Sequence, residues 1–94
     1  MAKTIYKYEL KPANVQTVMM PQHAKMLSVQ NQNGNLNVWA LVESDPLHVQ
    51  APVTFYIVGT GNDASEVEHK KFLGTAQMAE GGYVFHIFYE ESWA

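Results

Sequence analysis

The chain has 94 residues, no cysteine, and a formal net charge of −3 from six lysines, no arginine and nine acidic residues. A single domain of this size sits near the small end of what folds without staples, and the missing thiols remove both disulfides and thiolate metal sites. Without arginine or a basic stripe, binding to DNA or RNA duplexes is not expected; Lys70-Lys71 is the only adjacent basic pair, and no apolar run approaches the roughly 20 residues that span a bilayer.

The opening MAKTIYKYEL has no signal-peptide apolar region and alternates like a strand over Thr4–Leu10. Lys11-Pro12-Ala13-Asn14 breaks it, and Gln16–Met20 reads as a short second strand stopped by Pro21, which cannot donate to a ladder. Asn33-Gly34 then lies between two alternating runs, the strongest short-range hairpin signal, because a type I′ turn needs positive φ at both central positions. The register follows: Gln32 faces Asn35, Gln30 faces Asn37, Val29 faces Val38 and Ser28 faces Trp39. One face then carries Leu27, Val29, Leu36, Val38, Ala40 and Val42 as core. The other carries Ser28, Gln30, Gln32, Asn35 and Asn37 around Trp39, with Met26 and Leu41 beyond.

Ser44–Pro52 is loop-like, and Val53–Thr60 is a β-branched and aromatic fifth strand. Gly61–Glu68 is either a loop or one capped helical turn. Lys70–Met78 and Gly82–Glu91 form a last hairpin around Ala79-Glu80-Gly81-Gly82. Seven short strands with no convincing helix predict an all-β fold, a small antiparallel sandwich or open barrel, in a single domain over residues 1–94. With 47% hydrophobic residues and the limited interior of so small a monomer, burial of apolar area between subunits is expected, as a homo-oligomer, dimer or tetramer. The acidic pair Glu90-Glu91 reads as a solvated edge that discourages strand addition.

Trp39 is either a partly buried residue covered by a loop or second subunit, or a stacking platform; base–aromatic stacking is worth about 1–3 kcal/mol. On the same face Gln30, Gln32 and Asn37 offer amides able to both donate and accept at a base edge. Gly59-Thr60-Gly61 is either a bulge or tight turn, or an anion-binding nest of converging N–H groups with the Thr60 hydroxyl alongside. His86 is either a hydrogen-bonded core or interface residue or a ligand donor, and Thr75 is a weaker candidate. No two histidines have metal-ligand spacing, so neither a metal nor another cofactor is expected. There is no Gly-x-Ser-x-Gly elbow or cysteine nucleophile, and Ser28 has no evident base, so catalysis is not expected.

The combination of KTIYKYEL, AKMLSVQNQNGNLNVWALVE, FYIVGTG, KFLGTAQM and VFHIFYE resembles a family of small phage-encoded proteins over nearly the whole chain. One departure is Gln22-His23, where that family commonly has a glycine before Ala24; it bears on the geometry of that turn. The family is similar to the viral sponge proteins that sequester nucleotide second messengers of bacterial antiphage defence, in particular the anti-CBASS sponges. The resemblance implies an oligomeric, non-catalytic phage protein acting in the host cytoplasm and binding a cyclic dinucleotide such as cyclic GMP-AMP. In that role Trp39 stacks a base, Gln30 and Gln32 read its edge, and Gly59, Thr60 and Gly61 hold a phosphate or ribose. Lys3, Lys7 or Lys25 then has to supply the positive charge that arginine would otherwise bring. The alternative is a phage interaction factor whose Trp39 face docks on a host or virion protein.

Overall fold

A computed structural model describes residues 2–93. The seven expected strands form: β1 (Lys3–Glu9), β2 (Val15–Pro21), β3 (Lys25–Gln32), β4 (Asn35–Glu43), β5 (Gln50–Gly59), β6 (Lys71–Met78) and β7 (Tyr83–Glu91). Strand β5 takes in Gln50, Ala51 and Pro52 from the expected loop, and Pro21 lies within β2 because its missing N–H falls on the outward side of the strand. Single 3-10 turns occupy Ser65–Val67 and Ala79–Gly81, and no α-helix occurs among the described residues. The strands form two antiparallel sheets, one ordered β1-β4-β3 and the other β2-β5-β7-β6.

The Asn33-Gly34 turn has the positive φ values that a type I′ geometry requires, 54° and 87°, and the Asn31 carboxamide oxygen accepts from the Gly34 N–H at 2.9 Å. The five cross-strand pairs from Gln32–Asn35 to Ser28–Trp39 form in the expected register. Beyond Ser28 the ladder shifts: Met26 pairs with Ala40, and Leu27 is a bulge without a partner. A single extra residue reverses the side-chain alternation. Met26 is therefore buried in the core and Leu27 is 42% exposed, the opposite of the expected placement.

The core lies between the two inner faces. Val29, Leu36, Val38, Ala40 and Val42 meet Met20, Val53, Phe55, Ala76 and Ile87, with Val38, Val53, Phe55 and Ile87 fully buried. On one side the sandwich closes where β3 lies along β6. There the Asn31 amide donates to the Gln77 carbonyl at 3.1 Å, and the Val29 methyl sits over Gly74. On the other side β1 and β2 are both edge strands. The accessible surface is 5997 Å², against roughly 5,500 Å² expected of a folded monomer of this mass, and large apolar side chains including Ile5, Leu47, Val49 and Phe72 stand exposed.

Glu90 and Glu91 end β7, paired on one side with Thr54 and Val53 of β5 and running past the end of β6; Glu90 is exposed and Glu91 half-buried. Their carboxylates pair with Lys70 and Lys71 at 2.8 and 2.9 Å, which holds both ammonium groups above the ordinary lysine range. The chain's one adjacent basic pair is thus engaged internally.

Candidate functional site

The residues singled out in the sequence fall into two groups on two different surfaces. Trp39, Gln30 and Gln32 lie on the outer face of the three-stranded sheet. Cross-strand rows there read Lys3–Glu43, then Ile5–Leu41–Lys25, Lys7–Trp39–Ser28 and Glu9–Asn37–Gln30. Trp39 is half-buried, flanked by Lys7 on β1 and Ser28 on β3. Lys7 is the backbone partner of Trp39, and its ammonium crosses the face to donate to the Gln32 carboxamide oxygen at 2.8 Å, which fixes a positive charge on the same face as the indole. Three of the chain's six lysines, Lys3, Lys7 and Lys25, share this face with two carboxylates, Glu9 and Glu43, so it is locally positive on a net-negative protein.

Asn37 is not an open member of the amide row. It is 3% exposed between Glu9 and Gln30, and its side-chain amide donates to the Asn35 carbonyl at 3.1 Å. Gln30, Gln32 and Asn35 remain exposed. Glu43, at the end of the same face, is 6% exposed, and its Oε1 has no partner among the described residues. No local pattern signals this burial, because the pairing of β1 with β4 is not local.

Thr60, Thr75 and His86 lie on the outer face of the four-stranded sheet, and the structure brings them together. His86 stands in the register row Val58–His86–Thr75. Its Nε2 is 2.7 Å from the Thr60 hydroxyl and its Nδ1 is 2.9 Å from the Thr75 hydroxyl. A neutral imidazole that donates from Nε2 to Thr60 and accepts at Nδ1 from Thr75 satisfies every group, with the Thr60 hydroxyl reaching on to the Val84 carbonyl at 3.4 Å. Among the described residues no carboxylate forms an ion pair with His86, and the two threonine hydroxyls set its ring orientation.

Gly59-Thr60-Gly61 makes a tight turn, not a nest. The Asn62 N–H closes it onto the Gly59 carbonyl at 3.1 Å, and the Thr60 N–H is already bonded to the Val84 carbonyl at 3.1 Å. Gly61 carries the positive φ of 88° that this turn needs. With two of the N–H groups engaged, converging donors for an anion are not available. A shallow hollow of about 180 Å³ lies beside the turn, walled by Val58, Ala64, His86 and Phe88. Next to it Asp63 accepts from the Ser65 N–H and hydroxyl at 3.0 and 2.6 Å, which starts the short 3-10 turn and lowers its pKa below the ordinary aspartate value.

A cleft of about 220 Å³ that the sequence did not suggest opens at one end of the sandwich, under the Lys11–Asn14 bridge. Leu10, Pro12, Leu36, Ile57 and Phe85 line it, and its walls are mostly apolar. Nothing in the local sequence signals it, since it exists only because the bridge crosses between the two sheets. Among the described residues no cluster of three or more His, Cys, Asp or Glu is placed to hold a metal ion, and no helix is long and apolar enough to cross a membrane.

These features define a small two-sheet β domain with two separate polar surfaces, one built on an indole and lysines, the other on a histidine held by two hydroxyls. Over residues 1–94 the chain matches the family described as a domain of unknown function, DUF7352, and it belongs to that family. No curated protein and no solved structure matches it significantly.

Proposed function

We propose that the protein captures a cyclic nucleotide on the outer face of its three-stranded sheet and holds it without chemical change. The observation that carries this is the placement of Lys7 beside Trp39, with its ammonium held by Gln32 at 2.8 Å. A base stacked on the indole leaves its phosphate within reach of Lys7, and Lys25 and Lys3 lie farther along the same face. Gln30 and Gln32 sit next to the stacking position with both donor and acceptor groups. The resemblance to small phage proteins and to nucleotide sponges supplies the setting: a phage protein that sequesters a second messenger such as cyclic GMP-AMP in the host cytoplasm. On an open face of this kind useful affinity requires more than one subunit, in keeping with the surplus apolar surface.

Titration calorimetry against a panel of cyclic mono- and dinucleotides tests the proposal. Micromolar or tighter binding is expected for one of them, with intact ligand recovered after denaturation, and Trp39→Ala weakening it by about 10- to 100-fold. A folded protein that binds none of the panel refutes it. A second reading draws on Ile5 and Leu27, which are 56% and 42% exposed near Leu41 and give the face an apolar rim. That rim suits docking on a protein, and a single stoichiometric partner lost with Trp39→Ala, without nucleotide affinity, would favour it.

A further inference from the structure

We propose that two copies of the chain join edge to edge through β1, in antiparallel register about Tyr6, giving one continuous six-stranded sheet. The inference does not depend on the nucleotide proposal.

The free edge of β1 is set by its bonding to β4. The Ser44 N–H bonds to the Ala2 carbonyl and the Leu10 N–H bonds to the Leu36 carbonyl, at either end of the pairing. In an antiparallel ladder alternate residues turn both backbone groups to the same neighbour. Thr4, Tyr6 and Tyr8 therefore spend theirs on β4, and Lys3, Ile5, Lys7 and Glu9 present theirs outward. A second β1 can bond only by matching these four residues to the same four.

Among such registers, the one centred on Tyr6 uses the whole strand. It sets Lys3 against Glu9 of the second copy, Ile5 against Lys7, and Tyr6 against Tyr6. By symmetry it makes two opposite-charge pairs, one at each end, each directly across a hydrogen-bonded pair. Centring on Ile5 sets Lys3 against Lys7, and centring on Lys7 sets that lysine against itself, so both oppose like charges. Registers centred nearer either end of the strand give up most of the overlap. The sequence KTIYKYE is thus self-complementary in one register. The two-fold axis falls at a non-hydrogen-bonded pair, where facing side chains come closest. Tyr6 occupies that position on the core side of β1, yet it is 46% exposed, because β1 is an edge strand beyond the cover of the second sheet.

The other edges are less suited. The outward residues of β2 include Pro21, which has no N–H to give. The edges of β3 and β6 each carry a bulge and lie against one another. By contrast β1 contains neither proline nor bulge. In the joined sheet both Trp39 side chains lie on one outer face. They are three strand spacings and two residues apart, roughly 16 Å.

Sedimentation of the full chain tests the proposal. The wild type is expected to be a dimer. Glu9→Lys sets lysine against Lys3 and Lys3→Glu sets glutamate against Glu9, so each should weaken the dimer by about tenfold or more. An equimolar mixture of the two variants restores both charge pairs and should return the dimer. Ile5→Pro, which removes an outward N–H and leaves the bonds to β4 intact, should give monomer with an unchanged far-ultraviolet spectrum. A monomeric wild type, a dimer indifferent to Glu9→Lys and Ile5→Pro, or folded variants that stay monomeric when mixed would each overturn it. Because Lys3 faces Glu43 within the chain, Lys3→Glu is the variant most exposed to misfolding; if it fails, Glu9→Lys and Ile5→Pro decide alone.

Discussion

Gly74 is where the two sheets meet on the closed side of the sandwich, and replacing it with alanine should cost stability. A Cβ built there lies 3.1 Å from a Val29 methyl, so one of the two must shift by a few tenths of an ångström. Val29 has little freedom to give way. It is 6% exposed, stiff at χ1 as a β-branched residue, and fixed by its pairing with Val38. Overpacking of this kind costs about 1–3 kcal/mol. The loss of glycine's freedom in the unfolded chain returns about 0.4–1 kcal/mol. The net expectation is a destabilisation of about 1 kcal/mol, or about half a molar in the urea midpoint for a domain of this size.

A double-mutant cycle separates the clash from any general effect of alanine. Val29→Ala alone deletes two buried methyl groups and should cost about 1.6 kcal/mol or more. In the Gly74→Ala background the new methyl fills part of that space, so the cost should fall by about 1 kcal/mol, a coupling of the size expected for residues in contact. Urea unfolding of the four proteins gives the coupling directly. Gly74→Ala more stable than the wild type, with the Val29→Ala cost unchanged, would refute the contact as the reason for glycine.

Asp63→Ala should lower the thermal midpoint at neutral pH and leave it unchanged at strongly acid pH. The folded-state pKa of Asp63 is depressed by its bonds from Ser65, so its contribution is present above the unfolded value and vanishes as pH falls through the folded one. His23 has φ of 71° in the turn that the Ala24 N–H closes onto the Pro21 carbonyl, and its ring packs T-shaped with Trp93, the ring centres 6.0 Å apart. His23→Gly should therefore stay within about 1 kcal/mol of the wild type in urea unfolding, and His23→Val should cost about 1–2 kcal/mol; equal tolerance of valine would contradict a left-handed residue there. Glu43→Gln should leave stability unchanged or raise it by about 1 kcal/mol, because it keeps the shape and removes a charge whose Oε1 is buried without a partner; a loss of that size would mean the carboxylate is paired.

What the sequence disclosed was local. The Asn33-Gly34 turn fixes its own register, since the stereochemistry of a two-residue hairpin leaves no alternative, and the Leu36–Val42 alternation follows from it. The bulge at Leu27 was hidden because Met26 and Leu27 are both apolar and either can serve the core. Everything that depends on strand order was hidden as well. Asn37 is buried because β1 lies beside β4. Glu90 and Glu91 meet Lys70 and Lys71 because β6 starts alongside the end of β7, and the Thr60 N–H is consumed by Val84. The same non-local pairing brings Lys7 to Trp39, an adjacency that no spacing along the chain encodes.

That strand order also decides which candidate residues can act together. Trp39, Gln30 and Gln32 face outward from one sheet, while Thr60, Thr75 and His86 face outward from the other, with the core between them. Within one chain no small ligand reaches both. Joining two copies through β1 does not change this, because it extends the Trp39 face sideways and leaves each His86 on the far surface. The bonds from His86 to Thr60 and Thr75 instead tie the end of β5 and the middle of β6 to β7, which is reason enough for all three residues. In calorimetry with a bound cyclic nucleotide, Trp39→Ala should therefore weaken binding while His86→Gln leaves it unchanged and lowers only the unfolding midpoint. A His86→Gln protein that folds normally and loses the ligand would show that a different assembly brings the two surfaces together.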